Sequence, residues 1–131
     1  MEKVIEKIDN VVLALNDLKT ILNNHNKKKF DIDYIIDRSC IFFAIEKELL
    51  LSHDRKKNVS DCRSYIVYYC RLNTNYSYMQ IADALNRDHS NMIHHYNKMD
   101  GLVQWSAEDK IKYKQYVSFV ELGFNKEINL L

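Results

Sequence analysis

A chain of 131 residues with no proline, two glycines and 47% hydrophobic residues fits one helical domain with a true core, and it excludes enzymes that hold nucleotides in a glycine-rich loop. Net charge is only +1, yet residues 55–99 carry seven basic and three acidic groups, net +4, while segments 1–26, 27–54 and 100–131 are each −1. This local excess is the electrostatic hint of a polyanionic partner. Cys40, Cys62 and Cys70 form no Cys-x-x-Cys pair, which points to free, mostly buried thiols in a reducing cytoplasm. No apolar run nears membrane-span length, and no leader pattern opens the chain, so no membrane partner is expected.

Val4, Ile8, Val11, Leu15, Leu18 and Leu22 follow the spacing of an a/d seam, which predicts an amphipathic helix from about Glu2 to Asn23. Val12, Leu13 and Ile21 widen that stripe. It suits either packing onto its own domain or pairing of two copies through residues 4–22, and the sequence leaves both open. Residues 1–26 are thus a separate element, and Asn23, Asn24, Asn26 and the Lys27–Lys29 run make a polar linker. Asp31 is an N-cap for a second helix whose inner face is Ile32, Ile35, Ile36, Ser39, Phe42 and Phe43. A break near Ile45 and a short turn over Lys47 to Ser52 follow. The polar stretch from His53 to Asn58 is basic, and Ser60 or Asp61 is the expected cap of a third helix. That helix runs to about Asn73, with Ile66, Tyr69 and Cys70 inward.

The most informative passage is residues 77–99. Ser77 with Gln80 forms a capping box, and Ile81, Ala82 and Leu85 give the short helix after it an apolar face. Asn86-Arg87 is a turn pair, since Asn tolerates a left-handed backbone. Asp88 then caps a further helix. Met92, Ile93, Tyr96 and Met99 are expected in the core, while Ser90, Asn91, His94 and Lys98 face solvent or a ligand. A short helix, a tight turn and a second helix opening on hydrogen-bonding side chains is how a helix-turn-helix presents a recognition helix to a major groove. Gly101 ends or weakens this helix. Ser106 with Asp109 opens the last one, which carries Ile111, Val117, Phe119 and Val120 and stops at Gly123, leaving 123–131 as a tail. Trp105 reads as a core anchor. His89, His94 and His95 lack metal-ligand spacing and a carboxylate on their face, so neither metal nor cofactor is expected. No nucleophile–base pair or carboxylate pair supports an enzyme, and no small-molecule substrate is implied.

The run Ile81-Ala82-Asp83-Ala84-Leu85-Asn86-Arg87-Asp88-His89-Ser90-Asn91-Met92-Ile93-His94 resembles the signature of the C-terminal DNA-binding domain, domain IV, of the bacterial replication initiator DnaA. The resemblance extends upstream through Ile35-Ile36, Phe42-Phe43, Leu50-Leu51-Ser52, Arg55-Lys56-Lys57, Asp61 and Arg63, and covers about residues 31–122. It implies an all-α, Trp-repressor-like helix-turn-helix bundle that binds double-stranded DNA of the DnaA-box class. By resemblance, Asp88, His89 and Ser90 read bases, Asn91 replaces a threonine that contacts phosphate or base, and Arg55 enters the minor groove. Arg63, Arg71 and Arg87 hold the DNA backbone, and amides near Tyr78 and Met79, after Ser77, touch phosphate. Lys56, His94 and Lys98 complete the expected contact set. The family's Gly-Gly is here Leu85-Asn86 with one residue fewer, which predicts a tighter turn. Nothing resembles the family's ATPase module, so the expectation is a DNA reader without the motor, acting in replication initiation, its regulation, or transcription. The alternative is a module that binds a replication or transcription protein through the same fold and the N-terminal helix.

Overall fold

The computed structural model describes residues 10–12, 14–15 and 30–129, with side chains through 122 in the last helix. The named helices are α1 (Ile32–Phe43), α2 (Lys47–Leu50), α3 (Lys57–Asn73), α4 (Tyr78–Leu85), α5 (His89–Trp105) and α6 (Ala107–Asn129), and no strand occurs among the described residues. The fold is therefore all-α. None of these helices is long and apolar enough to cross a membrane.

Helix α3 is the centre of the bundle. It packs against α1, α2, α4 and α5, while α6 closes the other side on α1 and α5. Every residue from Cys62 to Cys70 is buried, as expected of a helix enclosed on all sides. Its start lies earlier than the expected cap at Ser60 or Asp61. The chain enters helix at Lys57 because the Asp54 carboxylate accepts from the Lys56 amide (2.7 Å), forming an Asx-type turn before the first helical residue.

An aromatic cluster joins α1, α3 and α6. Phe43 meets Tyr65 edge-on at 4.9 Å, and Tyr65 meets Tyr116 at 5.2 Å. The Tyr116 hydroxyl lies 2.6 Å from Ser39 Oγ, so burial of that phenol leaves its polar atom satisfied. Tyr113 and Tyr116 thus take the core positions of α6, whereas Ile111 is 58% exposed.

Three further expectations are corrected. Helix α5 passes through Gly101 and ends at Trp105, and α6 continues past Gly123 to Asn129 in place of a loose tail. Trp105 is not a core anchor; it is 92% exposed, because α5 ends there and the chain turns away into α6. Residues 10–12 and 14–15 are helical, as predicted, with Val11, Val12 and Leu15 exposed. Val4, Ile8, Leu18 and Leu22, and with them most of the predicted seam, lie outside the described residues.

Candidate nucleic-acid interface

The capping box at the start of α4 is complete: Ser77 Oγ accepts from the Gln80 amide (3.2 Å), and Gln80 Oε1 accepts from the Ser77 amide (2.8 Å). Ile81, Ala82 and Leu85 are buried and seat α4 on the core. Asn86 then turns the chain with a left-handed backbone (φ 54°, ψ 45°). The Asn86 amide donates to Asp83 O and the Arg87 amide to Ala82 O, closing the helix in the manner of a glycine cap. Asparagine thus holds the turn in the left-handed backbone that glycine most easily adopts.

Asp88 occupies the N-cap position of α5, but its carboxylate makes no cap hydrogen bond. An acid expected to cap the helix is thus left available to another donor. Asp88, His89, Ser90 and Asn91 are all exposed at the helix start, where free amides and the helix dipole favour negative charge. His94 and Lys98 lie exposed further along, and Lys98 Nζ reaches Asp61 at 3.4 Å.

The inward face of α5 differs from the expectation. Met92 and Met99 are buried and Tyr96 is half-buried, but Ile93 is 44% exposed and His95 is buried in its place. At about 100° per residue, Ile93 sits roughly 100° from Met92, while His95 sits about 60° away on the other side, nearer the centre of the buried arc. His95 Nδ1 lies 2.6 Å from Ser64 Oγ on α3. Burial, followed by the nearby Lys98 charge, pushes the His95 pKa down to about 4. The adjacent imidazoles His94 and His95 therefore differ in burial, the first exposed and the second enclosed.

The basic loop between α2 and α3 is held by Arg63. Its expected place on a DNA backbone is corrected: Arg63 is only 1% exposed. Nε donates to Leu50 O (3.0 Å), Nη1 to Asp54 O (2.6 Å) and Nη2 to Ser52 O (2.6 Å). A planar fork of donors satisfies three loop carbonyls at once and thereby fixes where Arg55 and Lys56, both exposed, stand. Burial, then the nearby Arg87, lowers the Arg63 pKa from its ordinary value.

Loop and turn meet in one cleft of about 450 Å³, lined by His53, Arg55, Ala82, Asp83, Asn86, Arg87, Asp88 and Asn91. Two contacts tie its sides: Asn86 Nδ2 donates to Leu51 O (3.3 Å), and Arg87 Nη1 lies 3.2 Å from His53 Nδ1. His53 and Asn86 were not among the residues expected at the site. The basic run after His53 was the available signal, but partnership with Arg87 across 34 positions is a tertiary fact. Arg71 and Tyr78 lie outside the residues lining this cleft. The Arg71 guanidinium lies 4.3 Å over the Tyr78 ring. Ser77 is exposed, with its hydroxyl engaged in the cap.

A short helix, a three-residue turn opened by a left-handed Asn86 and a second helix with an uncommitted polar N-terminus, set beside a basic loop, define a DNA-binding helix-turn-helix domain. Comparison with known proteins agrees. A family model described as the bacterial dnaA protein helix-turn-helix matches residues 32–99, and the chain belongs to that family. Among curated relatives, the chromosomal replication initiator protein DnaA of Lachnoclostridium phytofermentans is 31% identical over 101 residues, covering 76% of this chain and 22% of the relative. The same-named protein of a Synechococcus species is 27% identical over 120 residues (90% of this chain, 26% of the relative). That of Aquifex aeolicus is 31% identical over 88 residues (66% and 21%). The chain thus spans about a fifth to a quarter of the length of the curated relatives it matches.

Proposed function

We propose that the chain binds double-stranded DNA in a sequence-dependent way, at sites of the DnaA-box class, and acts in replication initiation or its regulation, or in transcription control. The observation that carries this reading is the single cleft in which Arg55 of the basic loop faces Arg87, Asp88 and Asn91 of the helix-turn-helix. Asp88 can accept from a cytosine amine, and His89 can donate to or accept from a purine edge, each such contact discriminating by about 1–3 kcal/mol. Arg55 suits an A·T-rich minor groove, where the potential is most negative. Arg71, Arg87 and Lys56 supply salt-dependent affinity with little sequence choice. The domain responsible is residues 31–122, with 1–26 as an added helix.

Selection of bound duplexes from a random pool, followed by anisotropy against the selected and a scrambled duplex, tests the reading. The selected duplex is expected to bind more tightly, and His89→Ala is expected to shrink the difference. Equal affinity for both duplexes overturns it.

A second reading, binding of a protein partner, is favoured by Trp105, since an exposed tryptophan is a common interface anchor. Pairing of two copies through residues 4–22 draws on the exposed Val11 and Leu15. Light scattering of the full chain beside Leu15→Lys is the test: a dimer that dissociates in the variant supports pairing, and a monomer throughout rejects it.

A further inference from the structure

His89 stands at the first position of α5, where its own helix does little to fix the ring. An imidazole that reads a base edge must be oriented, because its two nitrogens have different donor and acceptor roles and a turned ring presents the wrong one. Among the described residues the ring that meets this side chain is Tyr78 of α4, edge-on at a centroid distance of 6.3 Å and an interplanar angle of 72°. That lies within the range of an edge-to-face aromatic pair.

Tyr78 is itself held from two other directions. The Arg71 guanidinium lies 4.3 Å over its ring, and Arg71 Nη1 is anchored by donation to Tyr76 O at 3.1 Å. Tyr96 of α5 meets the Tyr78 ring at 6.4 Å and is backed by Tyr68 of α3 at 5.1 Å. Tyr68 continues to Tyr113 of α6 at 5.0 Å, and its hydroxyl donates to Asp100 Oδ1 at 3.0 Å. A row of ring contacts therefore runs from the buried Tyr113 to the exposed imidazole.

We propose that Tyr78, clamped by Arg71, is a positioning residue that orients the His89 ring and so contributes to sequence discrimination rather than to general affinity. The proposal rests on the reading of α5 as the recognition helix. It differs from the role that resemblance gives the start of α4, where contact is with phosphate. A phosphate contact through the Tyr78 hydroxyl would be lost in Tyr78→Phe and would weaken the selected and the scrambled duplex alike, because phosphate carries no sequence and a neutral hydroxyl releases no counterion. An orienting ring would survive in Tyr78→Phe and leave both affinities near those of the wild type.

The experiment is anisotropy on the full chain with the selected and the scrambled duplex over a salt series. The variants are Tyr78→Phe, Tyr78→Ala, Tyr78→Leu, His89→Ala and Tyr78→Ala/His89→Ala, with melting curves as fold controls. Tyr78→Leu refills the half-buried site without a ring, so the test survives if Tyr78→Ala unfolds.

The expected result is an about three- to tenfold fall in the selected-to-scrambled ratio for the Leu and Ala variants, the size of one aromatic pair. Tyr78→Phe restores the ratio, the salt slope is unchanged, and the double variant is no worse than His89→Ala. Additive losses in the double variant, or a Phe variant as poor as Leu, overturn the proposal while leaving sequence-dependent binding intact. A wild-type chain that does not discriminate overturns both readings.

Discussion

Replacing Arg63 by leucine tests whether this side chain builds the site or touches DNA. Three hydrogen bonds run from its guanidinium to the carbonyls of Leu50, Ser52 and Asp54. At roughly 1.5 kcal/mol for each bond to a charged donor, their loss comes to about 4–5 kcal/mol. The loop lies at the surface, so water can reach some of the freed carbonyls, and a net cost of about 3 kcal/mol is expected. For a domain of this size that lowers Tm by roughly 12–24 °C. Arg63→Lys keeps the charge but offers one donor centre instead of a fork, and should recover only a minor part. Thermal unfolding followed by circular dichroism reads the effect directly. A variant whose Tm stays within a few degrees of wild type, while the salt slope of DNA binding falls by about one, would show that Arg63 contacts phosphate and would refute its role as the loop's internal anchor.

Other consequences can be measured on the same protein. The folded-state pKa of His95 lies below the ordinary 6.5, so the native state binds fewer protons than the unfolded chain and stability rises with pH through this window. The contribution is complete above about pH 6.5 and is lost toward pH 4; between pH 7 and pH 5 the fall is about 2 kcal/mol. Denaturant titrations of wild type and His95→Gln should show this slope in the first and a flatter one in the second, and equal slopes would contradict it. A Cβ added at Gly101 meets nothing within 4 Å, so Gly101→Ala within α5 should stabilise the fold by about 0.5–1 kcal/mol, read as a higher urea midpoint. Arg55→Ala should weaken the selected duplex more than the scrambled one, reduce the salt slope by about one and leave Tm unchanged, and an equal loss on both duplexes would contradict its minor-groove role.

The parts of this fold that depend on neighbours in sequence were legible, and those that depend on distant neighbours were not. Asp31, the Ser77–Gln80 box, the left-handed Asn86 and the buried face of α4 each arise within a few residues, and each lies where the sequence puts it. The start of α3 was missed because its N-cap residue, Lys56, has no capping side chain and the turn before it is closed from Asp54. His95 was missed because an imidazole reads as polar until Ser64, 31 residues away, is seen to partner it. Tyr113 and Tyr116 hid behind the more hydrophobic Ile111, since only the aromatic cluster of α1 and α3 shows which face of α6 turns inward. Arg63 read as a free cation for the same reason: its three acceptors are backbone carbonyls, which carry no sequence signal.

The most direct test of the central claim is an amide-shift titration of the isotope-labelled full chain with the selected duplex. Perturbations should concentrate at residues 53–57 and 86–94, where the basic loop and the start of α5 share one cleft. Shifts confined to the surface around Trp105 and the outer face of α6, with His89 and Asn91 unmoved, would contradict the account.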